Sequence, residues 1–134
     1  PFGMVQLSPD NGLAGWDRIS GYFYPDSTIA GFSHTHLSGT GAGDLYDILF
    51  MPVTLPYNET AEGGLGIHSK FSHNDEEASA GYYRVKLQDY DINVELTATP
   101  RCGVQRYTFP KAESMVILNL KKAMNWDFTM DSNI

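Results

Sequence analysis

Short runs of β-branched and aromatic residues, broken by glycine or proline every eight to twelve residues, constrain the fold of this chain more than any other feature. The runs cover residues 4–7, 21–24, 47–53, 82–87, 93–99, 105–109 and 114–120. No window of eleven residues carries the apolar stripe of an amphipathic helix, although residues 121–128 are compatible with one helical turn. The pattern predicts an all-β fold built as an antiparallel β-sandwich.

Two hairpins are predicted in the second half of the chain. Residues 83–87 and 94–98 alternate apolar and polar side chains, so each strand turns one face to a core and the other to solvent or a neighbour. The acidic segment QDYDI between them has the length and composition of a tight turn. A second turn, around Pro100 and Gly103, joins the next pair of strands.

Composition limits the number of domains and the class of partner. With 134 residues, of which 42% are hydrophobic and 13% aromatic, the chain is predicted to fold as one domain with its own core. Its formal net charge of -7 would repel a phosphate backbone, which disfavours nucleic acid as a partner. No apolar run approaches the ~20 residues that a membrane-spanning helix needs. The ends, PFGMVQ and DFTMDSNI, carry no initiator methionine, signal peptide or finished terminal element, and they predict a piece of a longer protein.

The segment GFSHTHLSGTGAGD, residues 31–44, places His34 and His36 two positions apart. If the segment is extended, both imidazoles lie on one side, where they could converge on one ligand. In the double-stranded β-helix metalloenzymes such a pair is followed by a glutamate four or five residues later, and here those positions hold Thr40 and Gly41. The sequence therefore predicts no metal site in this chain and leaves a hydrogen-bonding, packing or ligand-facing role for the pair.

The sequence does not favour a catalytic role for the other polar and glycine-rich segments. Ser33 and Ser38 flank the histidines, but no G-x-S-x-G motif marks a nucleophile. The glycines in residues 39–43 lack the lysine of a phosphate-binding loop. The acidic run at residues 75–77 is predicted to be a solvated loop rather than a catalytic carboxylate pair.

Five motifs stand in a recognisable order along the chain: PFGMVQLSPD, SGYFYPDSTIAGFSHTHLSGTGAGD, DILFMP, FSHNDEEASAGYYRVKL and VELTATPRCGVQRYTFP. This order resembles the amino-terminal region of glycoside hydrolase family 92, the calcium-dependent exo-α-mannosidases. The likeness spans most of residues 1–110, and GFSHTHLSGTG is its longest motif. Residues after Leu120 carry little of it.

The resemblance implies a sandwich of the galactose-mutarotase-like supersandwich type, with residues 1–134 as a partial amino-terminal domain. In such enzymes a carboxy-terminal (α/α)6 barrel supplies the acid, the base and the calcium ligands, so these are expected outside this chain, which would be inactive alone. The implied whole is an inverting α-1,2-mannosidase of N-glycan degradation, located in the periplasm, at the cell surface or outside a bacterium. Its implied partners are mannose-containing glycans and the catalytic barrel of the same polypeptide.

The resemblance also implies that loops of the sandwich close over the mannose. The candidate substrate-binding residues are an aromatic wall and part of the glycine-rich loop: Trp16, Phe32, His34, His36, Ser38 and Thr40. The family more often carries cysteine where Ala42 stands, so a thiol contact at that position would be missing.

Two alternatives remain open. The same fold and aromatic residues would suit an autonomous carbohydrate-binding module, in which an exposed Trp16 stacks on a sugar ring. A purely structural or interaction domain would instead expose an apolar face where its partner packs.

Overall fold

The computed structural model describes residues 3–11, 20–36, 46–57 and 66–120, and the strands within them pair antiparallel in three sheets. The strands are β1 Ser8–Asp10, β2 Thr28–Ile29, β3 Gly31–Ser33, β4 Leu49–Thr54, β5 Ser69–Lys70, β6 Glu76–Ser79, β7 Tyr82–Leu87, β8 Ile92–Ala98, β9 Gly103–Thr108 and β10 Ser114–Asn119. A single 3₁₀ turn in this part of the chain, His73–Asp75, leads into β6. Within the described residues, no helix is long and apolar enough to cross a membrane.

The first sheet has the order β1-β3-β4-β10. Strand β4, LFMPVT, is almost continuously apolar and is buried at four of its six positions, as expected for a strand inside a sheet that is covered on both faces. It contacts β3 through Phe32 opposite Phe50 and pairs with β10 from Thr54 opposite Ser114 to Leu49 opposite Asn119. The position of β4 at the centre of the sheet follows from its lack of polar alternation.

The second sheet is a meander of β6, β7, β8 and β9. Its alternation places Val85 opposite Val94 and Leu87 opposite Ile92, and all four side chains are fully buried. The turn between β7 and β8 contains Asp91 at φ 53, a left-handed conformation that aspartate tolerates better than most residues. Both hairpins predicted from the sequence are confirmed.

The larger of two buried hydrophobic clusters in the described part of the chain joins the two four-stranded sheets. It combines Phe32 and Val53 of the first sheet with Val85 and Val94 of the second. Ile29, from the small β2-β5 ribbon, belongs to the same cluster. The predicted all-β, antiparallel sandwich is therefore confirmed.

Two predicted strands were wrong. Residues 4–7 do not form a strand. Their backbone bonds go to two separate segments, since the Met4 amide donates to the carbonyl of Pro100 and the Gln6 amide donates to the carbonyl of His34. Residues 21–24 are also irregular, since the side chain of Asn11 bonds to the backbone there: its Oδ1 accepts from the Phe23 amide at 2.7 Å. Long-range polar contacts replace the strand ladder in both segments.

The acidic run at residues 75–77 also departs from its prediction. Because β6 alternates, the side chain of Glu76 turns inward and is only 9% exposed, whereas that of Glu77 is 56% exposed. The interpretation as a solvated loop is thus wrong for Glu76. The possible helical turn at residues 121–128 lies outside the described residues.

Strand β10 exposes an apolar surface. It pairs with β4 along one edge, and its Met115, Val116 and Leu118 are each about two-fifths exposed. Natural edge strands are normally protected by charges, bulges or a covering element. This surface is the kind of apolar face that the interaction-domain alternative predicts.

Two side-chain truncations in the second sheet are expected to change the free energy of unfolding by different amounts. Leu87→Ala removes a fully buried side chain and is expected to lower the free energy of unfolding by about 2–5 kcal/mol. Val104→Ala, at a position that is 50% exposed, is expected to change it by less than about 0.5 kcal/mol. Urea unfolding measures both, and equal effects of the two changes would contradict the placement of the core.

Candidate functional site

The ends of the glycine-rich loop are held together by backbone hydrogen bonds. The amide of His34 donates to the carbonyl of Asp47 at 3.1 Å, and the amide of Tyr46 donates to the carbonyl of Thr35 at 2.7 Å. The hydroxyl of Thr35 adds a side-chain bond, since it accepts from the Asp47 amide at 2.9 Å. Residues 34–36 and 46–48 are therefore tied together, and we call them the neck of the glycine-rich loop.

The neck contains two strained residues. Tyr46 has φ 59 and Ile48 has φ 60, although neither is glycine. A β-branched residue such as isoleucine is a clear outlier in this region of backbone space, and such conformations cost on the order of 1–3 kcal/mol each. Strain of this kind collects at ligand sites and switch regions, which makes the neck a candidate functional element.

A buried polar cluster fixes the His36 end of the neck. The Nε2 atom of His36 lies 2.6 Å from Oδ1 of Asp10 and 2.9 Å from Oγ of Ser33, and Nδ1 lies 2.6 Å from the carbonyl oxygen of Gln6. The ring of Tyr46 packs against the imidazole at 5.0 Å with an interplanar angle of 81°. His36, Asp10 and Ser33 are all nearly inaccessible to solvent.

The contacts of His36 determine where its protons lie. A carbonyl oxygen only accepts, so Nδ1–H must donate to Gln6. A second proton is then required between Nε2 and Asp10, because two bare lone pairs cannot face each other at 2.6 Å. Asp10 and Ser33 both lie at Nε2, whereas a catalytic triad places its acid and its nucleophile on opposite ring nitrogens. The cluster is built to hold a loop in place, not to activate Ser33.

Burial raises the pKa values of two groups in and beside this cluster, Asp10 and Tyr46. Desolvation raises the pKa of Asp10 above its ordinary value, and the contacts to His36 and Ser33 oppose that rise. Its second oxygen, Oδ2, is buried and has no hydrogen-bond partner in the part of the chain that the structure describes. Burial also raises the pKa of Tyr46 to about 12, with a further contribution from the nearby Asp10 carboxylate. Tyr46 therefore stays a neutral phenol beside the pair.

His34 has different neighbours. Its Nδ1 donates to the carbonyl of Ile48 at 3.2 Å, and its ring meets Phe50 edge to face at 5.5 Å. The ring also packs so closely on Gly103 that an added Cβ there would lie 2.7 Å from His34 Cδ2. Because β3 ends at Ser33, the strand alternation does not continue through the pair, and in the described contacts the two imidazoles share no partner.

The candidate residues fall into three groups. Phe32 is fully buried in the core, so its ring is not exposed to a ligand. His34 and His36 brace the neck through the contacts given above. Trp16, Ser38 and Thr40 lie outside the described residues, so their predicted roles stay predictions.

Sequence reasoning did not identify Asp10 as the partner of His36. The two residues are 26 positions apart, and no local pattern links an acid in the segment SPDNG to a distant histidine. Gly21 was missed for the same reason, although it lies directly against the pair. The pairing of β1 with β3 brings Asp10 near His36, and the hydrogen bond from the Asn11 amide to the Gly21 carbonyl, at 3.0 Å, holds Gly21 beside them.

The histidines and acids of the described residues do not gather into a metal-binding cluster. Within residues 3–11, 20–36, 46–57 and 66–120, no group of three or more His, Cys, Asp or Glu side chains is arranged to hold a metal ion. Both ring nitrogens of His36 are already engaged in hydrogen bonds. No described residue is therefore assigned to a metal.

Comparisons with known proteins identify the chain as similar to one enzyme family. The family model described as "Glycosyl hydrolase family 92 N-terminal domain" matches residues 1–134. A search of curated proteins found no match.

Solved structures of the same family are similar to this chain. The family GH92 α-mannosidase BT3965 from Bacteroides thetaiotaomicron, solved in complex with mannoimidazole, is 41% identical over 88% of this chain, with a TM-score of 0.79. The GH92 glycosyl hydrolase ccman5 is 30% identical over 90% of this chain, with a TM-score of 0.73. The inverting mannosidase BT2199 from the same Bacteroides species is 28% identical over 88%, with a TM-score of 0.66. The chain spans only 16%, 17% and 15% of the lengths of these three proteins.

The packing around His36 predicts unequal effects at two glycines. Gly21 and Gly81 both have positive φ, at 87 and 76, but a Cβ on Gly21 would lie 2.5 Å from Asp10 Oδ1 and 2.7 Å from His36, whereas a Cβ on Gly81 would meet nothing within 4 Å. Gly81→Ala is expected to cost about 1 kcal/mol, for the backbone conformation alone. Gly21→Ala is expected to cost at least about 2 kcal/mol more, because it displaces the buried pair.

The comparison of these two variants in urea unfolding isolates the contact with the pair from the backbone effect. Equal destabilisation by both variants would contradict the close packing of Gly21 on Asp10 and His36.

Proposed function

Because the chain belongs to glycosyl hydrolase family 92, as its N-terminal domain, we propose that it helps to form the mannose-binding site of an α-mannosidase. Members of this family are glycoside hydrolases, and the similar solved structures are mannosidases. The finer proposal is that the glycine-rich loop of this chain lies against the substrate, at the boundary with the catalytic part of the same polypeptide.

The neck of the loop is the observation that carries this proposal. Two positive-φ residues, a tied pair of backbone segments and a buried Asp10–His36 contact all act on one loop, and none of them is needed to close a simple turn. A sugar site benefits from such fixed geometry, since groups that are already in place lose little freedom when the ligand binds. Glycines within residues 39–43 would let the loop backbone approach a ligand closely.

Each candidate residue then has a defined task, and that of His34 is to brace the neck through the carbonyl of Ile48. His36 positions the loop through Asp10 and does not touch the sugar, and Phe32 anchors the loop in the core. Ser38 and Thr40 offer hydroxyl groups that can hydrogen-bond a sugar hydroxyl, and Trp16 offers a flat ring to the apolar face of the sugar.

The remaining parts of the proposal concern the whole enzyme. We infer inverting, exo-acting hydrolysis of α-1,2-mannosides from N-glycans, in the periplasm, at the cell surface or outside a bacterium. Two carboxyl groups on either side of the glycosidic bond would act as acid and base. They would come from the remainder of the polypeptide, as would the ligands of any calcium ion. This chain alone is proposed to be inactive.

Kinetics of the full-length enzyme on an aryl α-mannoside test the roles of the loop and of Trp16. Trp16→Ala and Ser38→Ala are expected to lower kcat/KM by about tenfold to a hundredfold, because each removes or misplaces a group that contacts the sugar. Arg84→Ala is the control: this residue forms a solvent-exposed ion pair with Glu77 in the second sheet, and its loss is expected to leave kcat/KM unchanged.

Asp10→Asn provides a matched test of the positioning role. The amide can still hydrogen-bond His36 Nε2 but cannot share a proton as the carboxylate does, so a moderate loss in kcat/KM with retained folding is expected. Normal kcat/KM in the Trp16, Ser38 and Asp10 variants together would refute the proposed contribution of this chain to the mannose-binding site.

A further inference from the structure

A second concave site lies beside β1, between residues 22–24 and strand β6. It is a groove with a volume of about 500 Å³, within the range of ordinary ligand pockets. Its walls are mainly aromatic and aliphatic, and its polar groups converge on one carboxylate. Among the described residues, those that line the groove include neither His34 nor His36, so it is separate from the neck of the glycine-rich loop.

An exposed aromatic platform forms one wall of the groove. The ring of Tyr24 stacks on the ring of His73 with centroids 4.0 Å apart and planes within 8° of parallel. Despite this contact Tyr24 is 64% exposed, which is unusual for so large an apolar surface. The ring of Phe71 packs edge to face on His73, with centroids 5.2 Å apart, and so helps to hold the His73 ring in place. The platform is therefore held flat before any ligand arrives.

Glu76 lies at the base of the groove and binds three donors. The hydroxyls of Tyr83 and Tyr22 donate to its two oxygens at 2.6 and 3.0 Å, and Nδ1 of His73 lies 2.6 Å from Oε2. Since Nε2–H of His73 must donate to the carbonyl of Tyr24 at 2.8 Å, the contact with Glu76 requires a second proton on the ring or on the carboxyl group. The bond to Glu76 raises the pKa of His73, which favours the imidazolium.

This network determines what kind of group the groove can accept. The hydroxyl protons of Tyr22 and Tyr83, and both ring nitrogens of His73, are committed to partners within the protein. The phenol oxygens keep lone pairs, so the groove offers acceptors to a ligand that brings its own donors. An anion would need free donors here, and the committed protons do not supply them.

We propose that the groove binds a pyranose ring of a glycan, with the apolar face of the sugar on Tyr24 and its hydroxyls donating to the oxygens of Tyr22 and Tyr83. A sugar ring combines a flat patch of C–H groups with hydroxyl donors at its edge, and an aromatic side chain with a polar rim matches both. A quaternary ammonium ion fits less well. One face of Tyr24 is covered by His73, and Tyr22 meets Tyr83 at 68°, so the rings do not form a closed cage around a cation.

The site goes beyond the proposed function, because it would hold glycan away from the glycine-rich loop. It depends on that function only for the choice of mannose as the probe. Its role would be to keep a branched or polymeric substrate attached while the loop and the catalytic part act on another sugar. The two sites can therefore fail independently.

Native affinity electrophoresis of the full-length enzyme in gels that contain soluble α-mannan tests the groove. Saturating mannoimidazole in the gel suppresses retention through the proposed active site. Under these conditions the wild-type protein is expected to be retarded, and Tyr24→Ala is expected to weaken retention by about tenfold. Ala78→Arg, which places a long side chain in the groove from an exposed position of β6, is expected to do the same.

Two control variants keep the test specific. Tyr24→Phe retains the stacked ring and is expected to preserve retention. Tyr82→Ala removes a neighbouring tyrosine, which bonds to Glu95 and does not line this groove, and is also expected to preserve it. All four variants should keep the wild-type kcat/KM on an aryl α-mannoside, which also shows that they are folded.

The groove assignment is wrong if Tyr24→Ala or Ala78→Arg is retarded like the wild type, or if choline but not mannan is bound in a Tyr24-dependent way. Absence of activity on the aryl mannoside, with Tyr24-dependent retention intact, would instead contradict the proposed function alone.

Discussion

The buried contact between Asp10 and His36 determines where the glycine-rich loop leaves the sandwich. Its 2.6 Å separation and its near-complete burial mean that one proton must be held between the two side chains. Removing either partner would leave an unpaired polar group in the interior, at a cost on the order of 3–5 kcal/mol if a charge is stranded. The bond from Nδ1 to Gln6 ties the segment before β1 to the same imidazole. A single histidine thus fastens the loop to β1 and to the segment that precedes it.

The rest of the site depends on that anchor. Gly21 is required beside it because no side chain fits against Asp10 and His36, and Tyr46 covers the imidazole while holding a strained backbone conformation. The sandwich supplies the rigid base: Phe32, directly before Ser33, is buried in the core that the two sheets share. Loops that carry functional residues are commonly positioned by a rigid scaffold of this kind.

Local patterns predicted the longer strands, β4, β7, β8, β9 and β10, and missed the shorter ones. The β7-β8-β9 meander follows from alternation and turn residues that lie close together in sequence, so local sequence is enough to predict which strands pair. Strands β1, β2, β3 and β5 are two or three residues long and are held by partners far away, and such short segments carry no periodic signal. The histidine pair drew attention to the neck, but the contact of His36 with Asp10 and the inward-facing side chain of Glu76 depend on tertiary register, which local sequence does not show. Motif resemblance supplied the family, which residue patterns could not.

The most direct test of the central claim is a crystal structure of the full-length enzyme with mannoimidazole bound. The claim predicts that atoms of residues 37–44 lie within about 4 Å of the sugar, while His36 remains hydrogen-bonded to Asp10 and does not contact the ligand. A sugar bound with no atom of this loop in contact, or a His36 that has left Asp10 to bind the sugar, would contradict it.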